Sequence, residues 1–143
     1  MGKAVRSVLA VIAGFVAAGA VMMVIESING HVLYPELGKM AEGVMDREVL
    51  RDLLATAPVG AFLVVLFGWA LGSFAGGFLA ARIAASAPGT HALVLGGLLT
   101  LAGIGNNLMI PPPGWFWIPT LVVFLPAAHA GARLAPKRTP AQA

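Results

Sequence analysis

The sequence holds six acidic residues; five crowd into positions 36–52, and the sixth, Glu26, stands alone in an apolar stretch. A carboxylate at the centre of a bilayer costs about 2.5–3.5 kcal/mol on insertion scales, so an isolated acid in such a stretch is a candidate to hold a proton or a cation. Its depth decides how strong that candidacy is. At 1.5 Å per helical residue Glu26 lies about 30 Å from Arg6, roughly one hydrocarbon thickness, which places it near a bilayer edge where water can reach it. Polar residues cluster around it: Ser27, Asn29, Gly30, His31 and Tyr34-Pro35 follow directly. Asn106 and Asn107 end a later apolar run, about 25 Å beyond Thr90, and arrive at nearly the same depth. Together Glu26, Asn29, His31, Asn106, Asn107 and Trp115 form a candidate polar pocket. Amides in a partly dry setting need partners, so a Glu26–Asn106 or Glu26–Asn107 hydrogen bond is expected, with His31 and Trp115 at the rim. Water, a cation or a lipid headgroup would occupy such a pocket. The competing reading is a hydrogen-bond cluster that ties span ends to a loop.

Other chemistries find no residues. Glu26 and His31 lie five apart and do not share a helix face, so they make a poor ligand pair and no metal site is expected. His91 and His129 sit near the opposite ends of their runs, level with Arg82 and Arg133, where an edge of each ring can stay wet. The chain has no cysteine, which excludes disulfides, thiol nucleophiles and Cys-ligated clusters. No H-E-x-x-H, Walker loop or G-x-S-x-G occurs; in Gly72-Ser73-Phe74-Ala75-Gly76 the serine comes one place early. A lone acid cannot form a shared-proton dyad. The expectation is therefore no enzyme and no cofactor. The net charge of +3 and pI near 10.0 come from scattered bases that make no continuous stripe, so no nucleic-acid partner is expected.

The elements that must position these residues follow from composition. Of the 143 residues 59% are apolar and 10% charged, with a mean hydropathy of +0.89, whereas a soluble domain carries roughly 25% charged residues. The chain's first expected partner is the lipid bilayer. A spanning helix needs roughly 20 apolar residues, and four stretches qualify, at about 5–28, 58–83, 90–109 and 115–134. Lipid leaves open backbone groups without partners and no alternating strands occur, so the fold class is all-α: a polytopic membrane protein with four transmembrane helices. Residues 1–135 read as one domain and 136–143 as a short tail. Lys3, Arg6 and Ala18-Gly19-Ala20 imitate a signal peptide, but the apolar run continues through Ile25, which marks a retained span. Pro111-Pro112-Pro113-Gly114 must separate the last two spans.

Charge sets the expected orientation. Lys3, Arg6, Arg82, Arg133, Lys137 and Arg138 fall on one side of a four-span chain, while the 29–57 segment on the other carries a net charge of −2. The positive-inside rule puts both termini in the cytoplasm and the 29–57 segment outside, with Trp115 and Trp117 at the outer interface. Within that segment Asp46 is a candidate N-cap for a short amphipathic helix through about Ala55, with Val49, Leu50, Leu53 and Leu54 on one side.

Small residues then predict how the spans meet. Gly60, Gly68, Gly72, Gly76 and Ala80 fall on one i, i+4 series, widened by Ser73 and Gly77, and Gly68, Gly72 and Gly76 are expected to pack against another helix, within the chain or in a homo-oligomer. Phe67, Trp69, Phe74 and Phe78 are left to face lipid or fill gaps. Pro119 and Pro126 share a face, and a kink near Pro126 is expected.

The segments Glu26-Ser27-Ile28-Asn29-Gly30-His31-Val32-Leu33-Tyr34-Pro35, Gly72-Ser73-Phe74-Ala75-Gly76-Gly77 and Ile110-Pro111-Pro112-Pro113-Gly114-Trp115-Phe116-Trp117 resemble a group of small uncharacterised bacterial four-span proteins. That resemblance implies four helices in the bacterial inner membrane and no particular activity. The chain is more loosely similar to small multidrug-resistance transporters, which have four short spans and one carboxylate in the first; their acid lies mid-membrane and their loops are short. The leading functional expectation is a structural or accessory subunit of a larger membrane complex. The alternative is a small proton- or cation-coupled transporter or channel that uses Glu26.

Overall fold

A computed structural model describes residues 2–84 and 86–136. Among these residues every regular element is helical, and four helices are long and apolar enough to cross a membrane. The chain is a multi-pass helical bundle. Helix α1 (Lys3–Ile28) continues as a π-helical turn, Asn29–Leu33; two short helices follow, α2 (Pro35–Ala41) and α3 (Arg47–Ala55). The remaining spans are α4 (Val59–Ile83), α5 (Pro88–Met109) and α6 (Trp117–Leu134), the last entered through a short 3₁₀ turn at Gly114–Phe116. Prolines set these boundaries as their missing N–H dictates: Pro58 caps α4, Pro88 opens α5, and 111–113 stay outside any helix.

Helix α4 is the hub, packed against α1, α5 and α6, while α5 and α6 also pack against each other. Two faces of α4 do this. Gly68, Gly72 and Gly76 are buried against α1: a Cβ on Gly72 would sit 2.7 Å from the Ala18 carbonyl oxygen, and one on Gly76 2.5 Å from that of Gly14. Gly77 does not widen this groove. It turns toward α6, where it meets the Ala128 backbone and Gly131 meets that of Phe74; Ser73 is buried in the same helix. Five residues turn a helix 500°, so positions 72 and 77 cannot share one face, and the glycines serve two neighbours instead of one.

The two ends of the bundle differ. At the termini end Arg6 Nε donates to the Ile83 carbonyl at 2.7 Å, tying the start of α1 to an unpaired carbonyl at the end of α4. At the connector end Asp46 caps α3, its Oδ1 accepting from Glu48 N at 2.8 Å and Val49 N at 3.1 Å. Leu50 is buried there, Leu54 packs on the main core, and Val49 is half exposed. Helix α2, which the sequence pattern did not reveal, folds back on the π turn of α1, bringing Gly38 against the Gly30 carbonyl. Gly43, at φ +73°, closes α2 in the left-handed conformation that ends many helices. Pro126 lies inside α6, and Pro119 falls in its first turn. Lys137 and Arg138 lie outside the described residues.

Candidate functional site

Glu26 lies two residues before the end of α1 at Ile28, in a helical run that continues through the π turn to Leu33. Side chains lean toward the N-terminus of their own helix, and α1 and α4 run antiparallel. Glu26 therefore reaches toward the bundle's middle, while Trp69 of α4 reaches toward the connector end. They meet: Trp69 Nε1 donates to Glu26 Oε1 at 2.8 Å. Trp69 is 4% exposed and stacks on Phe124 with centroids 5.2 Å apart and rings inclined 29°. Phe116 approaches its edge at 5.4 Å, and Phe62 and Trp115 extend the aromatic series toward the connector end. An indole inside an apolar span needs an acceptor for its one N–H. Glu26 is the sole side-chain carboxylate outside residues 36–52, so this pairing is within reach of the sequence, although the pattern around Trp69 suggests only a ring that faces lipid or fills a gap.

Beside this contact lies a cavity of about 160 Å³ lined by Glu26, Phe62, Trp69, Asn106, Asn107 and Phe116 among others. Spans α1, α4 and α5 form its walls, and Leu54 of α3 and Pro112 lie along its border. The expected hydrogen bond from Glu26 to Asn106 or Asn107 does not form, and for Asn107 the reason is specific. Asn107, 1% exposed, donates through Nδ2 to Thr120 Oγ1 of α6 at 2.9 Å, and the carboxylate takes the indole instead. Thr120 Oγ1 in turn donates to the Phe116 carbonyl at 2.8 Å.

The other expected pocket residues go elsewhere. Asn29 is buried, but its Nδ2 donates to the Ala61 carbonyl at 3.0 Å, holding the π turn of α1 to the first turn of α4. His31 is exposed, its Nδ1 lies 3.0 Å from the Ser27 carbonyl, and it lines a separate cleft with Lys39 and Glu42. Trp115 packs edge-on against Phe62 and Phe116 and does not line the cavity. At the termini end His91 Nδ1 lies 3.0 Å from the Ala87 carbonyl one turn back. His129 lines a cleft of about 580 Å³ with Ser86, Gly89 and Arg133. Among the described residues no three His, Asp or Glu side chains gather as a metal site would require.

Between the two ends the interior is filled. Ala18, Leu95, Leu99 and Phe124 are buried there, and Gly14 lies directly on Gly76. Polar side chains at this level bond within one helix, as where the partly buried Thr100 Oγ1 donates to the Gly96 carbonyl, or stand alone, as the buried Ser73 Oγ does. Compared with family models, curated proteins and solved structures, the chain matches none.

Proposed function

We propose that this chain is a structural or accessory subunit of a larger assembly in the bacterial inner membrane, with both termini cytoplasmic and the 29–57 segment outside. The observation that supports a non-conducting role is the packed middle of the bundle: Leu95, Leu99 and Phe124 fill it while α1 and α4 touch backbone to backbone at Gly14 and Gly76. A conducting path needs a file of groups that can replace water around an ion or a proton. Glu26 instead faces an apolar plug on the side toward the termini. Lipid-facing surface is ample, with Val16, Met23 and Val24 of α1 and Leu101 of α5 all more than half exposed.

A second reading, a small transporter using Glu26, draws on a specific feature, since the carboxylate borders an open cavity and forms no ion pair with any described base. Reconstitution separates the two. The full chain in proteoliposomes is expected to show no proton or alkali-cation flux, and mild-detergent extracts of its native membrane should carry it in a complex well above its 14.6 kDa. Flux that Glu26→Gln abolishes overturns the accessory role.

A further inference from the structure

We propose that the cleft at the termini end, between α6 and the start of α5, binds a phosphate group, presented either by an anionic lipid or by a small free phosphate ester. The inference depends neither on the accessory role nor on the orientation proposed above, because both leaflets of a bilayer carry phosphates.

The cleft exists because small residues leave it open. It measures about 580 Å³, within the range of ligand sites. Its walls include Ala81 and Ala84 at the end of α4 and Ala132 of α6, all three buried and too short to fill it. Donors come from two sides. Arg133 and His129 lie one turn apart on α6 and share a face, while Ser86 brings a hydroxyl from the connection between α4 and α5. The His129 ring lies against the first turn of α5, where a Cβ on Gly89 would be 3.9 Å from its Cε1. Its Nδ1 is buried without a described partner, so Nε2 is the nitrogen it can offer a ligand. The α5 N-terminus contributes little by itself, since Thr90 N and His91 N already donate to the Ala87 carbonyl.

Charge sets the sign of the ligand. Among the described residues Arg133 joins no ion pair, and no Asp or Glu lines the cleft. The sequence has no acidic side chain to send there: all six lie at position 26 or within 36–52, toward the connector end. The counter-anion of Arg133 must therefore come from outside the chain's side chains. A phosphate suits the donor set. A guanidinium takes its oxygens in pairs, and a tetrahedral group keeps another oxygen for His129 or Ser86, whereas a carboxylate has only two. The alanine walls suit the apolar part of a lipid, and basic pockets between spans are places where lipid headgroups bind.

The test uses the full-length chain in a maltoside detergent, which carries no phosphate. Native mass spectrometry follows titrations with phosphatidylglycerol, with diacylglycerol of the same acyl chains, and with glycerol phosphate. Saturable binding of phosphatidylglycerol is expected, with diacylglycerol at least about tenfold weaker. Arg133→Gln should weaken phosphatidylglycerol binding at least about tenfold, and Ser86→Ala by about two- to fivefold. Arg82→Gln removes the same charge from the same end but outside the cleft, so it should change binding less than about twofold. Thermal melts establish that each variant folds; should Arg133→Gln not fold, Ser86→Ala and the diacylglycerol comparison carry the test. Glycerol phosphate identifies the source. Binding as tight as that of phosphatidylglycerol assigns the site to a free phosphate ester, and weaker or no binding assigns it to a lipid headgroup; both support the proposal. No saturable binding of either phosphate compound, equal binding of diacylglycerol, unchanged affinity in a folded Arg133→Gln, or equal losses in Arg82→Gln and Arg133→Gln overturns it.

Discussion

The hydrogen bond from Trp69 to Glu26 is the contact most open to a single-residue test. Trp69→Phe removes the N–H but keeps a ring against Phe124, so it isolates the polar interaction from the stacking. The expected cost is about 1 kcal/mol, because polar contacts between membrane helices are modest and the freed carboxylate can find other partners on its exposed side. Thermal unfolding in detergent should show this loss in the parent and little of it when Glu26→Gln is already present, since a neutral amide is the weaker acceptor. Ala87 offers a gain. It holds φ +44° just before α5, a conformation that costs an L-residue roughly 1–2 kcal/mol, part of which glycine gives back as entropy. Ala87→Gly is therefore expected to raise stability by about 0.5–1 kcal/mol in the same melt. Sequence reasoning placed Glu26, Asn106 and Asn107 together by counting rise per residue, and all three do line one cavity. It could not choose their partners. Rise fixes depth along a helix, whereas the pairing of Asn107 with Thr120 depends on how α5 and α6 are rotated about their axes. The same limit explains Asn29 and His31, which have the right depth but point to other neighbours.

Helices repeat the lesson with glycine. In the sequence Gly72 and Gly97 look alike, each a small residue within an apolar run. In the bundle a Cβ on Gly72 would press on the Ala18 carbonyl and the Met22 side chain, both at 2.7 Å, while one on Gly97 meets nothing within 4 Å. Gly72→Leu should therefore cost about 1–3 kcal/mol or more, since a backbone carbonyl cannot rotate out of the way. Gly97→Ala should be neutral or stabilising by up to about 1 kcal/mol through helix propensity alone. Equal losses in the two variants would mean that α4 does not depend on close approach to α1. The four spans were legible because length and hydropathy are properties of one helix at a time. Helix α3 was legible for a local reason, its Asp46 cap. Helix α2 and the π turn before it were not. Both depend on contacts with other segments, Asn29 on the Ala61 carbonyl and Gly38 on the Gly30 backbone, and neither partner is visible from local periodicity.

The whole molecule is polarised by charge, and this polarity carries the orientation proposed above. Lys3, Arg6, Arg82 and Arg133 gather at the termini end, where Arg6 closes onto the last carbonyl of α4. The connector end carries Glu36, Glu42, Asp46, Glu48 and Asp52 against Lys39, Arg47 and Arg51, and its ion pairs are local: Lys39 with Glu36, and Arg51 with Glu48 and Asp52. Surface pairs of this kind add little stability. Orientation follows the number of Lys and Arg at each end, and the sequence places six at the termini end against three in the connector. Met45 is the place to probe this. It is 92% exposed in the turn before α3, and the chain has no cysteine, so Met45→Cys creates a single thiol without background. A membrane-impermeant maleimide added to intact spheroplasts is expected to label it fully, whereas a cysteine added after the C-terminus should react only once the membrane is opened. Labelling of position 45 that requires permeabilisation reverses the orientation. It would also turn the Glu26 cavity toward the cytoplasmic side of the membrane.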